Sequence, residues 1–423
     1  MLRWFKIKGS TSGNIAEVTS DNKLQVDVNF PLTAFGDLRT AELSPIFQGS
    51  FEYTVLNTEL NTNTITNTGT VTQSNGKALI GSGTTTNSTA ELKSYHPAKY
   101  KAGLGGLVRF TAMFTTPVAN TLQYAGITDE IGSGATYKNG YTIGFTGALM
   151  SIQRWQNDVL IPVLRADWDD KLDGTGASGI TIDPTKLNVF GIRYQYLGAG
   201  MIYFQIENSN TGEFVTFHTI KYANLNTTPS TFNPNYRFSL FASNGSTTSN
   251  IIISSCSYAY FTEGKTKEIE LHQSQFATGT RQKTTVTTEV ACFTIKNKTT
   301  YPTALSKTNF ITIMLERLSS SIDNNGATNL AEVRLVKNAT LGGTPSYADI
   351  NASNSCIAID VSGTTVTGGV TLLVQDLTGK NDSKNENLVP YTIYLSPGET
   401  VTASVKSVTS ATMNARILWK ELF

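Results

Sequence analysis

The residues with the clearest potential for chemistry are the acids of a loop that runs from Trp168 to Lys186 and reads WDDKLDGTGASGITIDPTK. Asp169, Asp170 and Asp173 lie close together in this loop. Carboxylates grouped in this way can bind Ca²⁺, serve as the acid and base of a hydrolase, or cap backbone N–H groups in a turn. The three possibilities make different demands on the neighbouring residues.

An EF-hand loop needs oxygen ligands at its third and last positions and a glycine at its sixth. If the loop begins at Asp169, Lys171 takes the third position and Ile180 the last. If it begins at Asp167, just upstream, Leu172 takes the glycine position. Both registers fail, so the sequence predicts no EF-hand. A looser calcium site that uses backbone carbonyl groups stays as an alternative.

A glycoside hydrolase needs two carboxyl groups held across a cleft, one of them with a raised pKa. Strand positions two residues apart would present such a pair on one face. The acids of the loop instead adjoin Gly-Thr-Gly in a turn, where water keeps them ionised. The other acid pairs, Asp129 with Glu130 and Glu268 with Glu270, lie in a Gly/Ser-rich turn and in a polar linker. We therefore expect no enzymatic activity.

The histidines and cysteines lack the spacing of a metal site, a catalytic pair or a disulfide framework. The histidines are isolated from one another: His96, His218 and His272. The cysteines are far apart and odd in number: Cys256, Cys292 and Cys356. Nucleophile and phosphate-loop motifs are missing as well. We expect no metal and no cofactor, with structural histidines and with cysteines that act as small buried hydrophobic residues.

Aromatic side chains are the remaining candidates for ligand binding, because rings near a surface cleft can contact a sugar. Most of the Tyr and Phe residues fall at alternating strand positions, where core packing is expected. Four aromatic residues lie in or near predicted loops and are the candidates for glycan contact: Tyr137, Tyr141, Trp155 and Trp168.

Composition limits the class of protein. The 33 Lys and Arg residues balance 32 Asp and Glu residues, which gives no electrostatic reason to expect nucleic acid. Only 15% of the 423 residues are charged, and the chain is rich in Thr and Asn, which favour strands and tight turns. The basic start MLRWFKIKGS lacks the apolar run of a signal peptide, and no stretch is apolar enough to span a bilayer. We expect the protein to fold in a cytosol.

The elements that must position these residues are strands, since helical periodicity is nearly absent. The clearest hairpin is LNVFGIRYQYLGAGMIYFQIEN, in which apolar residues alternate on both sides of a turn at Gly198-Ala-Gly200. Strands recur at about ten-residue spacing with Gly and Asn between them, a pattern typical of β-sandwiches and jelly rolls. The sequence therefore predicts an all-β fold.

The chain divides into three parts. Residues 1–44 are too few to hold a core and are predicted to be an attachment arm. Residues 45–263 are predicted to form one β-sandwich and residues 264–423 a second, smaller one. The polar stretch TEGKTKEIE, Thr262–Glu270, is the candidate linker between them.

Five segments spread over nearly the whole chain carry a resemblance to known proteins. They are AFGDLRTAELSPIF, YHPAKYKAGLGGLVRFTAMFTTPVANTLQYAGI, NGYTIGFTGALMSIQRW, DKLDGTGASGITIDPTKLNVFGIRYQYLGAGMIYFQI and ARILWKELF. The first, residues 34–47, resembles an AFGxLRxSxPxxIF pattern near the start of a family of bacteriophage virion proteins, usually labelled tail, fibre or structural protein. The fourth, residues 170–206, is similar to the most recognisable segment of that family. The Thr/Asn-rich residues 55–90 and the short start depart from it.

The resemblance implies a structural component of a bacteriophage virion, made in the host cytoplasm and located in a tail, neck, fibre or capsid decoration. It implies a lectin-like (jelly-roll) first sandwich and carries over no catalytic residue. The expected partners are other virion proteins and copies of the same chain, with no nucleic acid and no membrane. We expect a homo-oligomer, first of all a trimer, because virion parts follow particle symmetry and open strand edges invite pairing. The alternative function is a carbohydrate-binding module that recognises a host-surface glycan.

The acidic loop is then interpreted as the structured connection into the central hairpin. Its Asp side chains are expected to cap N–H groups of turns, and Gly174 and Gly176 to supply φ angles above zero. Pro184 is expected to end the loop before a strand that begins at Leu187.

Overall fold

The computed structural model describes residues 43–52, 56–58, 60–130, 137–264, 274–323, 330–378 and 381–422. These residues form thirty β-strands and three short 3-10 helices, with no α-helix among them. In the same ranges, no helix has the length and apolar character needed to cross a membrane. The prediction of an all-β fold is confirmed. The predicted arm up to residue 42 and residues 265–270 of the predicted linker lie outside the described residues.

Sixteen strands between Leu43 and Glu263 form a nine-stranded and a seven-stranded antiparallel sheet. In chain order they are β1 (Leu43–Ser50), β2 (Asn61–Thr66), β3 (Thr70–Ser74), β4 (Lys77–Gly81), β5 (Thr89–Ser94), β6 (Gly106–Phe114), β7 (Leu122–Thr128), β8 (Asn139–Thr146), β9 (Leu149–Gln156), β10 (Val159–Leu164), β11 (Asn188–Tyr194), β12 (Ile202–Glu207), β13 (Phe214–Ile220), β14 (Arg237–Ser243), β15 (Ile252–Ser255) and β16 (Ser257–Glu263). Seven strands of the nine-stranded sheet follow the order β13-β12-β11-β6-β15-β4-β3. The other two branch from β6, because β16 pairs with β6 and β1 pairs with β16. The seven-stranded sheet follows the order β10-β9-β8-β7-β14-β5-β2.

Fourteen strands between Ser274 and Leu422 form two six-stranded sheets and one two-stranded sheet. They are β17 (Ser274–Ala277), β18 (Arg281–Val286), β19 (Val290–Asn297), β20 (Thr312–Asp323), β21 (Leu330–Lys337), β22 (Thr340–Leu341), β23 (Ala348–Asp349), β24 (Ile357–Asp360), β25 (Val366–Thr367), β26 (Val370–Thr378), β27 (Ser383–Asn387), β28 (Tyr394–Leu395), β29 (Thr400–Ser407) and β30 (Ala411–Leu422). One sheet follows the order β17-β30-β20-β27 with β18 and β28 attached, and the other β23-β24-β19-β29-β21-β26. The 3-10 helices are Arg165–Asp167, Thr303–Leu305 and Val389–Tyr391.

Each pair of large sheets encloses its own hydrophobic core. In the predicted hairpin, β11 and β12 pair so that Phe190 lies opposite Ile206 and Ile192 opposite Phe204. These alternating side chains are at most 2% exposed and share one core with residues of the seven-stranded sheet such as Leu240. A separate core around Trp419 fills the space between the six-stranded sheets. The chain is therefore two β-sandwiches in succession.

Side chains of the segment YHPAK connect the two sandwiches. Oη of Tyr95 donates a hydrogen bond to Oε1 of Glu399 over 3.0 Å. Glu399 is 3% exposed and also pairs with Nζ of Lys337 at 2.7 Å. Nζ of Lys99 donates to the carbonyl oxygen of Leu422. This segment thus contributes polar contacts between the sandwiches.

The sequence also predicts a strand from Ile251 to Phe261 and another from Tyr391 to Leu395, and the structure corrects both. The stretch from Ile251 to Phe261 is two strands, β15 and β16, because the hydroxyl of Thr111 accepts the N–H of Cys256 over 2.6 Å and interrupts the ladder there. The strand predicted at Tyr391–Leu395 is reduced to the two-residue β28.

All three cysteines are free thiols. Two are buried as predicted, Cys292 and Cys356, and burial raises the pKa of both thiols. Cys256 is only half-buried, because it lies at the break between two strands, so its predicted burial is corrected.

Candidate functional site

The acidic loop lies along β13, an edge strand of the nine-stranded sheet. The N–H of Asp170 donates to the carbonyl oxygen of Phe217 over 2.8 Å. Oδ2 of Asp169 accepts the N–H of Thr219 over 2.9 Å. An edge strand leaves such backbone groups open to another chain, and the loop occupies them instead. The loop therefore caps the edge of the sheet.

Asp170 organises the interior of the loop, and its side chain is 6% exposed. Oδ1 accepts the N–H of Leu172 over 3.0 Å, and Oδ2 accepts the N–H of Ser178 over 2.8 Å. Burial alone would raise the pKa of Asp170, but the hydrogen bonds from Ser178 and Leu172 outweigh it and hold the pKa below its usual value. The carboxylate is ionised at neutral pH and both of its oxygens hold the loop together.

The two glycines of the loop have different roles. Gly174 has a φ of 86°, as predicted. Gly176 is absent from the residues with positive φ, so that prediction is wrong. A Cβ on Gly176 would lie 2.0 Å from Oδ1 of Asp170. Glycine is needed there because the backbone passes close to the carboxylate, not because of its backbone angles.

Asp173 and Asp183 each close a small turn. Oδ1 of Asp173 accepts both the N–H of Thr175 over 3.0 Å and its hydroxyl over 2.5 Å. Asp183 makes the same pair of bonds to Thr185, at 2.9 and 2.6 Å. The hydrogen bond from the Thr hydroxyl lowers the pKa of each carboxyl group most, and the hydrogen bond from the Thr N–H lowers it further. The acids of the loop cap turns, as the sequence predicted, and β11 follows from Asn188 rather than Leu187.

His218 lies beside the acidic loop. Its Nδ1 is placed to accept the N–H of Asp169 over 3.2 Å, which leaves the proton of the neutral ring on Nε2. Burial lowers the pKa of His218, and the charge of Asp169 opposes this only in part. The 3.4 Å approach of Nδ1 to Oδ2 of Asp169 is therefore not an ion pair at neutral pH. Nδ1 of His96 lies 3.1 Å from Oγ of Ser396, and His272 lies outside the described residues.

A metal site needs several ligands at one point. Across the part of the chain that the structure describes, no three His, Cys, Asp or Glu side chains come together in that way. In the acidic loop, Asp170, Asp173 and Asp183 each face N–H groups of their own turns. Their oxygens do not converge on a shared position.

The four aromatic residues predicted to contact a glycan are buried, and the prediction is wrong. Their exposed fractions are 1% for Tyr137, 0% for Tyr141, 0% for Trp155 and 3% for Trp168. Their polar atoms are engaged within the protein. For example, Nε1 of Trp155 donates to Oγ1 of Thr142 over 2.9 Å, and Nε1 of Trp168 donates to the carbonyl oxygen of Val163 over 3.0 Å.

Tyr137 and Trp155 are buried on the outer face of the seven-stranded sheet, away from the main core. Together with Tyr124 and Phe241 they form a separate cluster. The ring centroids of Tyr137 and Trp155 are 5.5 Å apart and those of Tyr124 and Trp155 are 5.3 Å apart. Alternation along a strand assigns a residue to a face but does not tell whether that face is covered. The prediction failed because it placed these rings in or near loops, whereas Trp155 lies within β9 on a face that is covered.

A groove lies beside this cluster on the same outer face. Its floor is a row of residues that pair directly across five neighbouring strands: Thr66, Thr89, Ser243, Leu122 and Thr146. Because these side chains are short, the face stays open above them and leaves a volume of about 830 Å³. Phe241, 1% exposed, closes one side.

Loops at one end of the sheet form the rim of the groove. Asn87 and Asn120 lie in these loops with φ angles of 59° and 63°, a region that Asn tolerates. The N–H of Asn87 donates to the carbonyl oxygen of Gly245 over 2.6 Å, and the N–H of Gly147 donates to that of Thr121 over 2.8 Å. Within the described ranges the side-chain amides of Asn87 and Asn120 make no hydrogen bond. The rim is therefore held in place while its amides stay available.

Among the residues that the structure describes, no acidic, basic or histidine side chain lines the groove. The sequence analysis missed this site because its residues come from segments far apart in the chain and are Thr, Ser and Asn, which are common throughout. A weak signal exists in Asn120-Thr-Leu122 and Thr146-Gly-Ala, where polar residues flank a strand end.

Comparison with known proteins finds distant similarity of structure only. No family model and no curated protein matches the chain. Winged bean acidic lectin complexed with methyl-α-D-galactose is 11% identical, over 53% of this chain and 100% of that chain, with a TM-score of 0.35. The carbohydrate recognition domain of Emp47p is 13% identical, over 53% and 97% of the two chains, with a TM-score of 0.33. A putative β-glucanase from Mycobacterium abscessus is 12% identical, over 51% and 100%, with a TM-score of 0.34. The likeness is too distant to carry an argument about function, and the fold is defined by the strand pairing described above.

Proposed function

We propose that the protein is a non-enzymatic structural component of a bacteriophage particle, which assembles through its N-terminal segment and through contacts of its β-sandwiches. The observation that carries the proposal concerns residues 170–206, the segment most similar to the virion family. Asp170, Asp173 and Asp183 in this segment are engaged with groups of their own loop, and the hairpin of β11 and β12 lies inside the nine-stranded sheet. The segment builds a scaffold and presents no pair of acids across a cleft.

The segment 34–47 supports the same role from the start of the sandwich. Its last residues belong to β1, which pairs with β16 from Leu43 to Ser50. Phe47 stacks on Tyr260 with ring centroids 5.4 Å apart. The residues before β1 are thus joined to an anchored strand, which suits a segment that links the sandwich to the particle.

Deletion of residues 1–42 tests this proposal, because it leaves β1 whole. We expect the truncated protein to melt at the same temperature as the full-length protein and to be absent from purified particles. The control is the full-length protein with the same tag, which should be present in the particles. Normal incorporation of the truncated protein would contradict the role of the N-terminal segment. Absence of the full-length protein from every particle fraction would contradict the structural role itself.

A second candidate function is a carbohydrate-binding module that recognises a host-surface glycan. The groove favours it, since its volume is in the range of small-molecule sites and its lining is uncharged and rich in hydrogen-bonding groups. A glycan array with the purified full-length protein tests this function. We expect binding to a defined set of glycans, and repeated absence of binding would leave the structural role standing alone.

A further inference from the structure

The side chains of the groove narrow the chemistry of its ligand. Hydroxyl groups come from Thr64, Thr66, Thr89 and Thr146, and amides come from Asn87 and Asn120. The hydroxyl groups of Thr121 and Ser243 are buried and engaged with the carbonyl oxygen of Val118 and the N–H of Gly245. Hydroxyls and amides both donate and accept hydrogen bonds, which matches a ligand whose own groups do the same. A charged ligand would lose its hydration without meeting an opposite charge in this lining.

The shape of the groove indicates an elongated ligand. The floor runs from Thr66 to Thr146 across five adjacent strands, and strands lie about 4.8 Å apart, so the row spans about 19 Å. A single sugar ring would fill only part of this length. Leu122 in the floor and Leu149, which lies opposite Thr146 on the next strand and is 57% exposed, offer apolar surface to the C–H face of a ring.

Part of the lining is already ordered without a ligand. The hydroxyl groups of Thr66 and Thr89 are hydrogen-bonded to each other. Oγ1 of Thr146 lies 3.2 Å from Oη of Tyr124, a residue of the buried aromatic cluster. Groups held in position before binding lose less entropy when the ligand arrives.

We propose that this groove binds a neutral oligosaccharide that lies across the strands of the seven-stranded sheet. This proposal rests on the second candidate function, carbohydrate binding. It adds the site of binding and the class of the ligand. Neutral hexose chains satisfy the hydroxyls and amides, and their apolar ring faces meet Leu122 and Leu149.

A pair of matched tryptophan variants on β2 tests the site. Thr64 lines the groove, while Thr62 lies two residues earlier on the same face and outside it. Both residues are exposed, so either replacement is expected to leave the fold intact. The probes are neutral oligosaccharides of glucose, galactose and mannose, with sialylated and uronic-acid oligosaccharides as the charged comparison.

We expect the wild-type protein to bind neutral oligosaccharides in an array and in calorimetric titration. Thr64→Trp should weaken this binding by about tenfold or more, while Thr62→Trp should leave it nearly unchanged. Equal binding by Thr64→Trp and the wild type would overturn the groove as the site and leave the carbohydrate-binding function standing. Stronger binding of the charged oligosaccharides would overturn the ligand class. Absence of any glycan binding by the wild type would overturn both the groove and the carbohydrate-binding function.

Discussion

The acidic loop and the groove are both built from small polar residues, but they use them in opposite ways. In the loop, both carboxylate oxygens of Asp170 accept N–H groups of the same chain. In the groove, the amides of Asn87 and Asn120 have no partner among the described residues. A polar group engaged within the protein stabilises the fold, whereas one left open to solvent can exchange water for a ligand. Substitutions in the loop should therefore change stability, and substitutions in the groove should change binding.

Asp170→Asn should have the largest effect. An amide offers only one acceptor oxygen, so the N–H of either Leu172 or Ser178 would face an NH₂ group in a buried site. We expect the free energy of unfolding to fall by about 1–3 kcal/mol, measured by urea denaturation.

The matched control for this variant is Asp173→Asn. A single oxygen of Asp173 accepts both bonds from Thr175, and the amide oxygen of Asn can take its place. We expect no measurable change in unfolding. If the two variants lost the same stability, burial of Asp170 would not be the cause of its effect.

The dependence of stability on pH should show two steps on the acid side. Burial lowers the pKa of His218, and hydrogen bonds lower that of Asp170 against the effect of burial. A group whose pKa is lower in the folded state adds stability above its unfolded pKa and loses it as the pH falls through the folded pKa. Unfolded His and Asp have pKa values of about 6.5 and 3.9, so unfolding should become easier below about pH 6.5 and again below about pH 4.

His218→Asn should remove the first step, and Asp170→Asn should reduce the second. Urea denaturation at a series of pH values measures both. A free energy of unfolding that rises as the pH falls through 6.5 would show that His218 is not held in its neutral form.

Removal of one hydroxyl in the groove should have a smaller effect. Thr89→Val should change the free energy of unfolding by no more than about 0.5 kcal/mol, because the one partner of its hydroxyl among the described residues is the exposed Thr66. The same replacement at Thr111 is the control. Its hydroxyl accepts the N–H of Cys256 over 2.6 Å, so Thr111→Val should cost about 1 kcal/mol. Equal costs at the two positions would contradict the contrast between a hydroxyl group that accepts a backbone N–H and one whose partner is the hydroxyl of the exposed Thr66.

Calcium and EDTA should have no effect on the melting temperature. The acids of the loop already accept hydrogen bonds from their own turns and do not converge. A calcium site would stabilise the fold by about 2.7 kcal/mol at a hundredfold excess over its dissociation constant. A rise in melting temperature with calcium that Asp173→Ala abolishes would show that the loop is a metal site.

The predictions from sequence succeeded where the relevant contacts are local. The hairpin of β11 and β12 was predicted with its turn, because alternation sets which residues point inward and the pairing Phe190 to Ile206 follows from the position of the turn. The Asp caps were predicted for the same reason, since Asp173 reaches a residue only two positions away. The all-β class follows from the sum of such local patterns.

The tertiary structure alone decided which residues from distant parts of the chain contact each other. It placed Asp170 next to Ser178 and Phe217. In this position the carboxylate leaves no space for a Cβ on residue 176, so glycine is required there, and the sequence does not show this contact. The tertiary structure also covered Tyr137 and Trp155 with each other on the outer face of a sheet. The row of residues at the bottom of the groove comes from five strands, and the order of these strands in the sheet differs from their order in the chain. Periodicity specifies the two faces of each strand, but the choice of neighbouring strands depends on how the whole core packs, and that choice made the groove.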